Sequence, residues 1–400
     1  MIREISRRKC LRLWLCKPEY MERTKWENRF VLLRFRKKNY MMFLKDLKRF
    51  KMERLYDKLK AYSESDFYAF HMPGHKRNKA LLGIELPYDL DITEIDGFDD
   101  LHHADGILKE EQERAARVFG AEESHFLVNG STAGILSAVM GCTHRGDKIL
   151  VARHCHKSIY HAIYMNGLVP RYVYPEFDIS MHMNGEISKE DVAKALAAEP
   201  DIKAVVIVSP NYDGVVSDVK GIAEVSHSYR IPLIVDEAHG PHFGFHPAFP
   251  GRANDLGADV VINSLHKTLP SLTQTAILHI NGKIVNRRRI KKYLDMLQSS
   301  SPSYIFMASL DACVDFVDGK CENAFELYVE RLQKFREELE PLQHLQILRT
   351  EHYDISKVVI STANANITSP KLADRLRKEY HLEMEMTGGT YVLAMTTVAD

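Results

Sequence analysis

The sequence predicts an α/β protein: a large domain on a mostly parallel sheet covered on both faces, followed by a smaller α/β unit. Three observations predict it. Short apolar runs of strand length recur at residues 149–152, 204–208, 231–235 and 258–263, and none alternates strictly, as expected of strands buried on both faces. Stretches of helical length separate them, the β/α alternation that a parallel sheet requires. Finally, 400 residues, of which 45% are hydrophobic, suffice for one large core and one smaller core.

Residues 1–51 stand apart. They hold 17 Lys or Arg against 5 Asp or Glu, a net +12 that the remainder of the chain balances to zero, and both tryptophans, Trp14 and Trp26. Such a break marks a boundary. The segment is expected to be an extension outside the fold, although a basic arm for nucleic acid or an anionic membrane surface has the same composition. From Met52, Leu55, Leu59 and Tyr62 keep helical spacing, and residues 52–90 read as an N-terminal arm. Within it Pro73-Gly74 forces a turn and breaks the helix that a His71/His75 metal pair would need. A polar loop around Asp91 to Glu94 precedes a helix running from about residue 108 to 119.

Phe126-Leu127-Val128 leads into Asn129-Gly130-Ser131-Thr132-Ala133-Gly134 and an apolar helix. Glycine, serine and threonine at a helix N-terminus offer amides, hydroxyls and the positive dipole end to a phosphate. An ordinary Ser/Thr cap explains the same letters. The run 149–152 ends in Arg153-His154-Cys155-His156-Lys157-Ser158, and 204–208 closes on the turn residues Ser209 to Gly214. Parallel sheets bind ligands at the carboxyl ends of their strands, where these motifs fall.

Two further strand ends carry the chemistry. The run 231–235 ends in Asp236-Glu237-Ala238-His239-Gly240, and the run 258–263 ends in Ser264-Leu265-His266-Lys267. An amine held at a strand end can condense with an aldehyde, and pyridoxal 5′-phosphate is the cofactor that needs one. A carboxylate at the neighbouring strand end keeps its pyridine nitrogen protonated, so that the ring can accept electrons. Asp236, His239, His242 and His246 invite a rival reading as a metal site. That reading gives no account of Lys267 or of the phosphate-binding letters, so no metal is expected.

VDEAHG followed by SLHKTLPSLTQ resembles the Orn/Lys/Arg decarboxylase family, fold type I pyridoxal enzymes that act on basic amino acids. The similarity runs from about Met52 to the end, through MPGHK at 72–76, HKS at 156–158, SSPSY at 300–304 and LEMEM at 382–386. It implies a fold type I large domain at 91–315 and a smaller, shortened C-terminal domain at 316–400. It further implies that His156 lies flat on the cofactor ring, and that Ser131, Thr132, Ala133, Ser264 and His266 hold the phosphate. Ser301 is implied to reach the cofactor phosphate of a neighbouring subunit in a homodimer. Glu94 and Glu385 are implied to face the substrate, with Lys267 or a histidine such as His239 as proton donor. The reaction so implied is decarboxylation of lysine, arginine or ornithine, all three open because side-chain length is read by pocket depth. Transamination, β-elimination and a catalytically impaired regulatory homologue remain as alternatives.

Composition bounds the rest. No apolar run of about 18 residues suggests a membrane span, and no nucleic-acid partner is expected. The six cysteines, Cys10, Cys16, Cys142, Cys155, Cys313 and Cys321, show no paired metal spacing. Reduced thiols in a cytoplasm are therefore expected.

Overall fold

A computed structural model describes residues 53–179, 182–348 and 352–400; the expectation for residues 1–51 lies outside them. The chain from Arg54 to Asp400 packs as one unit. Its centre is a seven-stranded sheet of β1 (Glu123–Leu127), β2 (Lys148–Ala152), β3 (Val169–Val173), β6 (Ile202–Val208), β7 (Leu233–Asp236), β8 (Val260–Asn263) and β9 (Ala276–Ile280). The small strands β4 (Phe177–Asp178) and β5 (Met183–Asn184) pair only with each other. In the large sheet the order is β1-β9-β8-β7-β6-β2-β3. Pairing is parallel from β8 through β7, β6 and β2 to β3, whereas β9 runs antiparallel to both its neighbours. Two reversals restore the direction, so β1 again points with the main set. The carboxyl ends of six strands thus share one edge.

The strands form because their residues are suited to burial on both faces. β7, β8 and β9 have every residue buried, and the β-branched valines and isoleucines of β6 fit a pleated, covered surface. The helix Gly130–Cys142 is apolar almost throughout and lies between the sheet and the helix Arg287–Leu297. Gly141 permits that contact: a Cβ there would stand 2.9 Å from the Ile290 Cα. Beyond the helix Tyr304–Val317, a four-stranded antiparallel sheet follows, with β10 (Gln346–Ile347), β11 (Lys357–Ser361), β12 (Met386–Thr387) and β13 (Tyr391–Met395) in the order β10-β11-β13-β12. The helices Glu322–Leu339 and Ser369–Tyr380 accompany it. The turn before β11 is tied to the loop after β6, the Asp354 amide donating to the Gly214 carbonyl at 2.8 Å. Among the described residues no helix is long and apolar enough to cross a membrane.

Candidate active site

The register of the sheet brings Asp236 and Lys267 together. Asp236 closes β7 directly opposite Ile262 of β8, and Lys267 follows β8 in the one-turn helix Leu265–Thr268. Asp236 is 2% exposed, and its Oδ1 accepts one backbone hydrogen bond, from the Ala238 amide at 3.2 Å. Burial pushes its carboxyl up to about 6, against the pull of the Lys267 charge. Lys267, half-buried, has its ammonium destabilised by desolvation, which Asp236 and Glu385 only partly offset, so its pKa lies below the ordinary lysine value. A lysine so placed gives up its proton more readily, the requirement for an amine nucleophile.

His239 sits between two lysines. Its Nε2 lies 2.9 Å from the Lys267 Nζ and its Nδ1 lies 2.8 Å from the Lys357 Nζ. Burial, then the Lys357 and Lys267 charges, hold its imidazole well below the usual value, so it is neutral. A neutral imidazole has one N–H and one lone pair. It can accept from one ammonium only, and must donate to the other lysine as a free amine. The Tyr212 ring meets His239 edge-on, with centroids 4.8 Å apart, and the Tyr212 hydroxyl donates to the Glu385 carboxylate. Glu385 thereby joins the cluster from the end of the chain.

Donors without side-chain partners stand at the same edge. Gly130 adopts a left-handed φ of 72° and opens its helix, whose N-cap, Asn129, makes no side-chain cap bond. The first amides are thus without a side-chain cap. Ser131 is half-buried, Thr132 exposed and Ala133 buried in that first turn. After β8, the Ser264 hydroxyl is buried with no hydrogen-bond partner among the described residues, an expensive arrangement in the absence of a ligand. His266 Nδ1 is held by the Thr275 carbonyl at 2.8 Å. The residues therefore fit pyridoxal 5′-phosphate on three separate counts: the free hydroxyl with uncapped amides, the buried carboxylate, and the amine of lowered basicity.

Other expected residues are placed differently. His156 caps the helix Lys157–Asn166, its Nδ1 2.8 Å from the Ser158 hydroxyl oxygen. Desolvation and then the Lys267 charge lower its pKa. Ser301 is exposed, in a loop whose Ser299 amide donates to Asn129 Oδ1 at 3.0 Å. Glu94 is not brought into the Lys267 cluster within one chain. It accepts from the Thr93 hydroxyl at 2.6 Å, and its Oε1 is buried without a partner among the described residues. The histidines after Asp236 diverge: His242 meets Asp354 at 3.1 Å, and His246 meets Glu326 at 3.1 Å.

Sequence reasoning missed Lys357 and Tyr212. Lys357 is fully buried, and a lysine opening an apolar strand, Lys357-Val358-Val359-Ile360, was the available signal. Tyr212 was seen only as a turn residue.

The family model described as Orn/Lys/Arg decarboxylase, major domain, matches residues 53–364. A Bacillus subtilis protein named YaaO, described as uncharacterized, is 42% identical over 269 residues, covering 66% of this chain and 56% of that one. An arginine decarboxylase of Halalkalibacterium halodurans is 34% identical over 361 residues, covering 86% of this chain and 73% of that one. Lysine decarboxylase A of Pseudomonas aeruginosa superposes with a TM-score of 0.75 at 23% identity, over 95% of this chain and 61% of that structure. The chain thus spans little more than half the length of some of the proteins it matches.

Proposed function

From the premise that the chain belongs to the Orn/Lys/Arg decarboxylase family, we propose that it removes the carboxylate of a basic L-amino acid with the aid of pyridoxal 5′-phosphate. The observation that carries this is the pairing of buried Asp236 with Lys267 of lowered basicity, at an edge where the Ser264 hydroxyl lacks a partner. When bound, the cofactor supplies an aldehyde for an amine and a ring that takes up the electron pair left at Cα as carbon dioxide departs.

The chain's own residues do the rest. Lys267 would offer an amine lone pair to the aldehyde and, when protonated, would be a candidate to return a proton to Cα. His239 Nε2, 2.9 Å from that amine, is the second candidate donor. Asp236 keeps a proton at the pyridine nitrogen by charge, in a site dry enough for that charge to count. The amides at Gly130 to Ala133, the hydroxyls of Ser131, Thr132 and Ser264, and the His266 ring would hold the phosphate, and His156 would pack against the ring. Glu385, hydrogen-bonded by Tyr212, and Glu94 are the carboxylates for the cationic end of the substrate. Residues 91–315 are the cofactor-binding domain, 52–90 an arm, and 316–400 the smaller domain.

A homodimer with shared sites belongs to the same proposal. The arm exposes Phe67, Tyr68, Phe70 and Met72 at 64–90%, more apolar surface than one short segment ordinarily shows water. The four cysteines among the described residues are all free, as a reducing cytoplasm would leave them. The deciding experiment is release of carbon dioxide from purified protein given lysine, arginine and ornithine in turn. Release from one of them together with its diamine or agmatine supports the reading; release from none, with bound cofactor present, sinks it.

A further inference from the structure

We propose that Gln274 and Gln298 are positioning residues for the cofactor phosphate: their carboxamides clamp both peptide units at Val128 and so aim the amides of residues 130–133. This deepens the function proposed above and rests on it.

Val128 is buried, one residue beyond the end of β1 and one before Asn129. Buried peptide groups need partners, and β1 lies at the edge of its sheet, with no strand beyond it among the described residues. Glutamine side chains take the place of that missing strand. Gln298 Oε1 accepts from the Val128 amide at 2.9 Å, and its Nε2 donates to the Phe126 carbonyl at 3.4 Å. Gln274 Nε2 donates to the Val128 carbonyl at 2.6 Å. The N–H and C=O of Val128 belong to successive peptide units, so both planes are fixed before the chain turns at Gly130. Asn129 would ordinarily cap the helix that follows it. Its Oδ1 accepts instead from the amide of Ser299, the residue after Gln298, at 3.0 Å, and it makes no cap bond. Residues 298–299 therefore align the turn and also keep its amides free for an anion.

Each glutamine is fixed in its turn. Gln298 closes the helix Arg287–Leu297, its amide donating to the Leu294 carbonyl at 3.1 Å, and that helix packs on the one that Gly130 opens. Gln274 has a φ of 85°, a left-handed conformation that residues other than glycine seldom adopt. Such strain persists only where the surroundings over-determine it, and it clusters where ligands are clamped. The carbonyl of its neighbour Thr275 accepts from His266 Nδ1, so residues 274–275 hold two parts of the proposed phosphate site at once. Gln112 supplies a control on the same edge. Its Oε1 accepts from the Phe126 amide at 2.9 Å, and it makes no bond to Val128 or Asn129 among the described residues.

The test isolates the phosphate. The full chain, freed of bound aldehyde with hydroxylamine, is titrated with pyridoxal 5′-phosphate and with pyridoxal, which has the same ring and aldehyde but no phosphate. Absorbance gives both affinities, borohydride reduction with peptide mass locates the adduct, and urea unfolding gives stability. Gln298→Met and Gln274→Gly should each lower the preference for the phosphorylated form about tenfold, the scale on which partners behind ligating groups act. Affinity for pyridoxal should hold. Gln274→Gly also relieves the left-handed backbone, so its unfolding midpoint should fall no further than that of Gln112→Met, which should keep the wild-type preference. If Gln274→Gly loses both affinities together or neither, or if Gln112→Met loses the preference equally, the glutamines only support the fold. With the adduct still on Lys267, either result makes the inference wrong and leaves the cofactor assignment standing. If the wild-type protein shows no preference for the phosphorylated form, or carries the adduct on another lysine, the proposed function itself fails.

Discussion

His239 and His242 stand three residues apart in one loop, both buried, both bound to the turn 354–357, and they are held in opposite ways. His242 has a full set of partners, Thr268 Oγ1 at 3.0 Å and the Asp354 carboxylate at 3.1 Å. His239 lies between two lysines and touches no carboxylate. The neighbouring aspartates repeat the contrast. Asp354 is kept below the usual carboxylate value by its partners despite burial, whereas Asp236 is raised to about 6 by burial. Burial alone therefore does not decide a group's state; its partners do. One side of the loop is satisfied and serves to fix the turn. On the other, His239 meets lysines in place of a carboxylate and Asp236 accepts a single backbone hydrogen bond, and perturbed groups of this kind mark functional sites.

The comparison is sharpest in turnover. Lys267→Ala should abolish the pyridoxyl adduct at that residue and carbon dioxide release with it. Asp236→Asn should bind cofactor yet turn over about 10²–10³-fold more slowly, the scale on which one preorganised electrostatic contact is lost. Both should leave the midpoint of urea unfolding unlowered. Near-normal turnover in Asp236→Asn would refute the electronic role.

On the satisfied side the effects should fall on stability instead. Asp354→Ala leaves a buried histidine and Lys357 without their carboxylate, and should cost about 3–5 kcal/mol in urea unfolding. Because the Asp354 carboxyl is depressed in the folded chain, its contribution is present above the ordinary value of about 4 and is lost as pH falls below it. Asp236 has the reverse sign. Its raised pKa means that the folded chain holds a proton the unfolded chain releases, so stability falls as pH rises from about 4 through about 6. Asp236→Asn should consequently stabilise the cofactor-free protein at neutral pH by about 1–2 kcal/mol, with no gain near pH 4. Equal stability of the two proteins at both pH values would remove the contrast between the aspartates.

How much of this was legible in the sequence follows from the range of the contacts. The parallel sheet was legible because its signal is local: strands such as 260–263 are apolar at every position. Asp236 and Lys267 were legible because each closes an apolar run, and a strand end is where a parallel sheet presents its chemistry. Lys357 was not, since its partner His239 lies 118 residues away, and no local pattern tells a buried lysine from a solvated one. The Tyr212–Glu385 bond, spanning 173 residues, was hidden in the same way, although Glu385 itself was drawn from the LEMEM resemblance. Glu94 was drawn from the family resemblance, and within one chain its carboxylate accepts from its own neighbour Thr93.

The smallest effect separates a group awaiting a ligand from one that is merely buried. The Ser264 hydroxyl is fully buried and has no partner among the described residues. Its contribution to the cofactor-free fold is therefore nil or unfavourable, and Ser264→Ala should leave unfolding by urea unchanged or slightly improved. A hydrogen bond to a phosphate oxygen is worth about 1.5–3 kcal/mol, so the same substitution should weaken pyridoxal 5′-phosphate binding about tenfold or more. Titration of the cofactor-free protein, followed by absorbance, measures the second quantity, and urea unfolding measures the first. For Thr268→Val, on the satisfied side, the pattern should invert, because its Oγ1 is the partner of His242: stability drops by about 1 kcal/mol and cofactor affinity holds. If Ser264→Ala costs stability and spares affinity, the hydroxyl is a structural group, and the phosphate is held elsewhere along the edge.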